Sequence, residues 1–200
     1  MAGEPDRSQV ICWVFRRVHE PFVNSQELIT FLIDQAPRWV VLQRDLQRPN
    51  GRPLSPNEAQ VLAPFFGPDV VHRARITDVP VISNPDFYET LATQGIPIPL
   101  DFTQMSGITL VDTILISSAH PVPSADWLPL LFHELVHVVQ YQLLGAEEFI
   151  RRYVNGWARN GFRYETIPLE QDAYALEARF TSRPHAAFSV LAAVTDQLGL

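Results

Sequence analysis

The sequence predicts an α+β domain, on three observations. A β-branched run, Ile108 to Ser117, is the clearest strand region. It is followed by an eighteen-residue segment without glycine, Trp127 to Leu144, that reads as a helix. Two more helical segments come after it, Ala146 to about Arg159 and one that begins at Pro168. A small strand region followed by helices is the order of an α+β fold and not of repeated βαβ units.

Taken from the N-terminus, Glu20 to Ile33 reads as a helix, with Phe22, Leu28, Ile29 and Leu32 apolar. Ala36 to Leu46 fits a helix or a strand equally well. A short helix is expected over Pro56 to Phe65, with Ser55 or Asn57 near its start. Val70 to Ile76 alternates in part and reads as a strand. Proline clusters at 49–56, 64–68, 80–99 and 121–129 read as the loops that separate these short elements. The run Ile108 to Ser117 admits a hairpin turning at Val111-Asp112-Thr113. For the helix Trp127 to Leu144, Asp126 suits the N-cap and Gly145 the position just past the C-terminus. Pro168 suits the first position of the last long helix. The apolar run Ala186 to Val194 reads as a helix that packs on the domain or on a partner.

Composition narrows the function classes. Two hundred residues, 46% of them hydrophobic, suit a single domain, 1–200. It divides into an N-terminal helical part (1–64), a core (65–180) and a C-terminal tail or helix (181–200). A net charge of −7 argues against nucleic acid and anionic membrane surfaces as general partners. The one cysteine, Cys12, excludes an internal disulfide and a Cys-rich zinc site. It lies in the apolar run Val10 to Phe15 and reads as a buried thiol, not a nucleophile. Met1 to Ser8 is polar and charged and lacks the regions of a signal peptide, so a cytoplasmic protein is expected, with other export routes open. No apolar run reaches the length of a membrane span.

The chemistry is concentrated in His133-Glu134-Leu135-Val136-His137. On a helix, residues four apart point about 40° from each other, so both imidazoles share one face. That is the spacing of two zinc ligands, with Glu134 placed to polarise a metal-bound water. Leu128, Leu131, Phe132, Leu135, Val138, Val139 and Leu143 cover most of the remaining circumference, which predicts a buried helix. Buried imidazoles and a buried carboxylate need partners, and a metal supplies them. The alternative is a pair of core histidines bonded to backbone. His19, His72 and His185 have no partner at ligand spacing, and His120 lies in the loop before the helix. The pairs Arg16-Arg17 and Arg151-Arg152 read as solvated faces.

A catalytic zinc takes three protein ligands and keeps one open position. The third is sought in Ile167 to Phe180. There Glu170, Tyr174 and Glu177 share a helical stripe, whereas Asp172 projects about 160° away from Glu170. Glu170 is the expected ligand, with Glu177 and then Asp172 as alternatives.

The order of these parts resembles a known family. Gly107 to Ile114 (Gly-Ile-Thr-Leu-x-x-Thr-Ile) precedes Leu131 to Gln140 (Leu-x-His-Glu-Leu-x-His-Val-x-Gln). Leu144-Gly145, Phe149 and Tyr153 follow, then Gly161-Phe162-x-Tyr164 and Pro168-Leu169-Glu170-x-x-Ala173-Tyr174. Over roughly Phe65 to Phe180 this is similar to a small bacterial zincin-like family of metallopeptidases, often found with contractile injection systems. The resemblance implies a zincin-like fold and a gluzincin-type zinc site. His133, His137 and Glu170 are then the ligands and Glu134 the general base. It implies a hydrolase that cuts peptide or protein substrates, with Tyr164 or Tyr174, or less favourably Tyr153, as oxyanion donor. It also implies that Thr113 to Ser117 is an edge strand that pairs with extended substrate. The metzincin pattern is excluded, because Gln140 and Leu143 stand where it needs its glycine and third histidine. The thermolysin-type Asn-Glu-x-x-x-Asp is also missing. The alternative is a zinc-binding module of the same fold without hydrolysis, such as injection-system cargo or an interaction domain.

Overall fold

The computed structural model describes residues 25–93, 95–96 and 100–200. Cys12, His19, Arg16-Arg17 and the helix start expected at Glu20 lie outside these residues. Helix α1 (Ser25–Gln47) is continuous through Pro37 and settles the 36–46 segment as helical. Leu28, Leu32, Trp39 and Val40 are its buried stripe. A capping box opens α2 (Pro56–Arg73): the Ser55 hydroxyl accepts from the Glu58 N–H, and the Glu58 carboxylate accepts from the Ser55 N–H.

The strand expected over Val70 to Ile76 is only half correct. Residues through Arg73 belong to α2, and the strand β1 is Arg75–Val79. The reason is Gly67, whose φ of 75° breaks α2 and lets Pro68 restart it as a first-turn residue. The prolines at 64 and 68 therefore lie inside a kinked helix and not in a loop. The division expected after residue 64 also falls within α2.

A short α3 (Tyr88–Thr93) leads towards a hairpin of β2 (Gly107–Leu110) and β3 (Thr113–Ser117), with Val111 at a φ of 60° in the turn. The sheet order is β1-β3-β2. β1 runs parallel to β3 with Arg75 opposite Thr113, and β2 runs antiparallel with Gly107 opposite Ile116. β3 is thus the central strand, so it is not the free edge that the resemblance implied; among the described residues β2 and β1 flank it, and Arg52 bridges Ile76 on the outer side of β1. All five β3 residues are buried, because helices cover both faces. Ile114 and Ile116 enter one apolar cluster with α2 and the later helices, whereas Leu115 enters the other with α1.

Helix α4 (Trp127–Arg159) passes between the two clusters and carries the motif. Its only non-helical residue is Gly145 (φ 72°, ψ 168°), which divides it into the two expected segments. Asp126 does not cap it: its own backbone is already helical and its side chain bonds nothing there. Ile167 and Pro168 start α5 (Pro168–Ser182), and α6 (Val190–Leu198) follows with Ser189 as N-cap and Gly199 in the left-handed conformation. α6 begins four residues later than the apolar run suggested and packs on α2, α4 and α5. Among the described residues no helix is long and apolar enough to cross a membrane.

Candidate metal centre

The first segment of α4 presents His133, Glu134 and His137 from a fully buried stretch, Leu131 to Tyr141. Helix α5 packs along α4 and brings Glu170, in its first turn, against them. The contact is close because Gly156 has no side chain: a Cβ there would lie 2.5 Å from Pro168 Cδ. Packing alone therefore brings together groups 37 residues apart in the chain.

Each imidazole has its outer nitrogen occupied. Gln140 donates its amide N–H to the Leu169 carbonyl (3.0 Å), so its Oε1 faces His137 Nδ1 at 2.8 Å. An acceptor there requires Nδ1 to carry the hydrogen, leaving Nε2 with its lone pair. Glu177 Oε2 stands 3.2 Å from His133 Nδ1 and does the same for that ring. The two Nε2 atoms then converge at 3.1 Å, and Glu170 Oε2 lies 3.2 Å from one and 3.4 Å from the other. A tetrahedral zinc with ligand bonds of about 2.05 Å holds its ligand atoms about 3.3 Å apart. The buried His133, His137 and Glu170 can hold a metal ion, and their chemistry and spacing suit one.

The field of the site favours positive charge. Burial would lower the His133 pKa, but the carboxylates of Glu170 and Glu177 outweigh it and raise it to about 10. Burial likewise opposes ionisation of Glu170, but the two imidazoles hold its carboxyl well below the usual range. Glu134 is pushed upward, burial outweighing the pull of both histidines and of Thr109. Glu134 faces strand β2: Thr109 Oγ1 donates to its Oε2 at 2.7 Å, and a Cβ on Gly107 would lie 3.1 Å from its Oε1.

The alternatives sort clearly. Glu177 meets the far nitrogen of His133, so it orients that ring, and Asp172 lies on another face, beside Arg159 and Asn160. Tyr153 donates to Glu170 Oε1 at 2.8 Å, so its hydroxyl is committed to that carboxylate. Tyr174 packs its ring against His133, with centroids 4.5 Å apart and planes tilted by 52°. Tyr164 lines the cavity beside Glu134, His137 and Glu170, and burial raises its pKa, which keeps its hydroxyl protonated. His120 is held by the Thr103 carbonyl at 2.9 Å, outside the cluster, and His72 and His185 are exposed.

Sequence reasoning missed Gln140 and Thr109. Gln140 is one helical turn after His137, a spacing that puts it on the same face and could have revealed it. Thr109 has no such signal, because strand pairing and packing against α4 place it. Comparison with protein-family models, with curated proteins and with solved structures finds no match for the chain.

Proposed function

We propose that the chain is a zinc-dependent metallopeptidase of zincin-like type. The observation that carries this reading is the convergence of two imidazole Nε2 atoms and one carboxylate oxygen at 3.1 to 3.4 Å, with Glu134 beside them. The resemblance of its motif order to that of the bacterial zincin-like family supports it. Among the described residues no cysteine joins the cluster, and two imidazoles with one carboxylate is a ligand set of catalytic zinc that leaves a position open.

Zinc held there would supply Lewis acidity and a water acidic enough to attack near neutral pH. The protein's part is proton handling and placement. Thr109 occupies Glu134 Oε2, so Oε1 is the atom that takes the proton of the attacking water and returns it to the leaving amine. Gln140, Glu177 and Tyr153 hold His137, His133 and Glu170 in orientation. We assign the oxyanion donor to Tyr164, which lines the cavity with the base and whose hydroxyl would turn from Glu170 to the oxyanion.

Purified protein should hold close to one equivalent of zinc, and His133→Ala should lose it. Cleavage of a mixed peptide library should be chelator-sensitive and should disappear in Glu134→Gln while zinc stays bound. Cleavage that survives Glu134→Gln would sink the mechanism. Zinc without any cleavage would leave a metal-binding module that does not hydrolyse.

A further inference from the structure

A cavity of about 110 Å³ adjoins the cluster, with Glu134, His137 and Glu170 in one wall. The rest of its lining is mainly apolar, with Leu32 and Trp39 from α1, Ile108 and Leu110 from β2, and Phe149 and Trp157 from the second segment of α4, besides tyrosines such as Tyr141 and Tyr153. Two of these residues, Trp39 and Trp157, are buried with indole N–H groups that have no hydrogen-bond partner among the described residues.

Size and chemistry limit the guest. An apolar cavity of about 150 Å³ lined by Leu, Ile and Phe stays dry and binds benzene. A space of about 110 Å³ therefore suits a branched aliphatic group or a single aromatic ring. An ammonium or guanidinium would have to lose its water against apolar walls, while Glu170 is already committed to the imidazoles and Tyr153. A carboxylate would in addition meet Glu134 and Glu170.

We propose that this cavity is the specificity pocket of the site and takes one bulky apolar side chain of the peptide held at His133, His137 and Glu170. The proposal rests on the metallopeptidase reading and adds the substrate class: peptides with a leucine- to phenylalanine-sized residue next to the scissile bond.

The test uses zinc-loaded protein and N-acetyl hydroxamates of glycine, leucine, phenylalanine and lysine, with zinc content measured alongside. Binding is read by calorimetry and by tryptophan fluorescence, which Trp39 and Trp157 should report from the pocket wall. The leucine and phenylalanine compounds should bind roughly 30-fold tighter than the glycine compound, and the lysine compound no tighter than glycine. Ala36→Phe, which fills the pocket from α1, should remove that preference and leave zinc content and the glycine affinity unchanged. Ile108→Ala should widen it and admit the tryptophan hydroxamate; this variant carries the test should Ala36→Phe not fold. Full zinc content with equal affinities for all four compounds overturns the pocket and leaves the metal centre standing. Zinc content near zero overturns both.

Discussion

Two buried carboxylates in this molecule look alike in exposure and differ in everything that matters for function. Glu58 is 6% exposed and Glu170 is 3% exposed. Glu58 accepts from both terminal nitrogens of Arg52 (2.9 and 3.1 Å), from the Ser55 N–H (2.6 Å) and from Trp127 Nε1 (2.8 Å). Every partner is a donor, and one carries the opposite charge. Glu170 accepts from the Tyr153 hydroxyl, also bonds Tyr164, and turns its Oε2 towards two ring nitrogens. Gln140 and Glu177 hold the protons of those rings on the far side. Acceptors thus face acceptors, an arrangement that needs a cation or a proton between them. Burial of a carboxylate is not by itself a sign of function. The balance of donors around it separates a strut from a ligand.

The comparison can be broken most sharply by the same change at both places. Glu170→Gln should weaken zinc binding by more than about 100-fold, beyond what losing an orienting partner costs, whereas Glu58→Gln should leave zinc affinity unchanged. Competition against a calibrated chelator measures both. Next come the orienting residues: Gln140→Ala and Glu177→Gln should each weaken zinc by about 10- to 100-fold, with the fold retained by circular dichroism.

Glu58→Gln should instead act on stability, lowering it by about 2 kcal/mol at neutral pH in a denaturant titration. Its pH dependence has a definite sign. Burial opposes ionisation of Glu58, but Arg52, the Ser55 N–H and Trp127 outweigh it and bring its pKa from 4.5 to about 2. Its contribution is then complete above the unfolded value of 4.5 and fades as pH falls towards 2. The wild type should lose stability over that window faster than Glu58→Gln; parallel curves would remove Glu58 from the account. The smallest expected effect on the fold is that of Gly156→Ala. Its Cβ would press on Pro168 and push back the first turn of α5, lowering the melting temperature by a few degrees. Zinc affinity should fall with it, since Glu170 is two residues further on.

What was legible in the sequence was local. Gly145 needs a left-handed backbone that glycine supplies without strain, so the end of the motif helix could be read from one residue. The β-branched run and its turn at Val111-Asp112 follow from short-range propensity in the same way. Pro37 misleads, because α1 runs through it and makes 36–46 helical. Val70 and Val71 are adjacent and both buried, a helical arrangement that partial alternation disguised as a strand. The central position of β3 was illegible, since strand order depends on pairing across 38 residues, Arg75 to Thr113. At the site, the two histidines and Glu134 needed only helical spacing. Glu170 needed the further step of a second helix with a usable stripe. Thr109, and the apolar cavity walled by α1, needed the folded chain.

The bond from Gln140 to the Leu169 carbonyl carries one more consequence. It ties the ring of His137 to the backbone immediately before Glu170, so the two ligands cannot separate without breaking it. Glu177 and Tyr153 fasten the other sides. A cradle braced in this way has a fixed aperture. Calcium asks for six to eight oxygens at 2.3 to 2.6 Å, and magnesium for near-octahedral oxygen. Two nitrogens and one oxygen held at tetrahedral spacing offer neither, so on the proposed reading the same bracing would also select the ion by radius and coordination number.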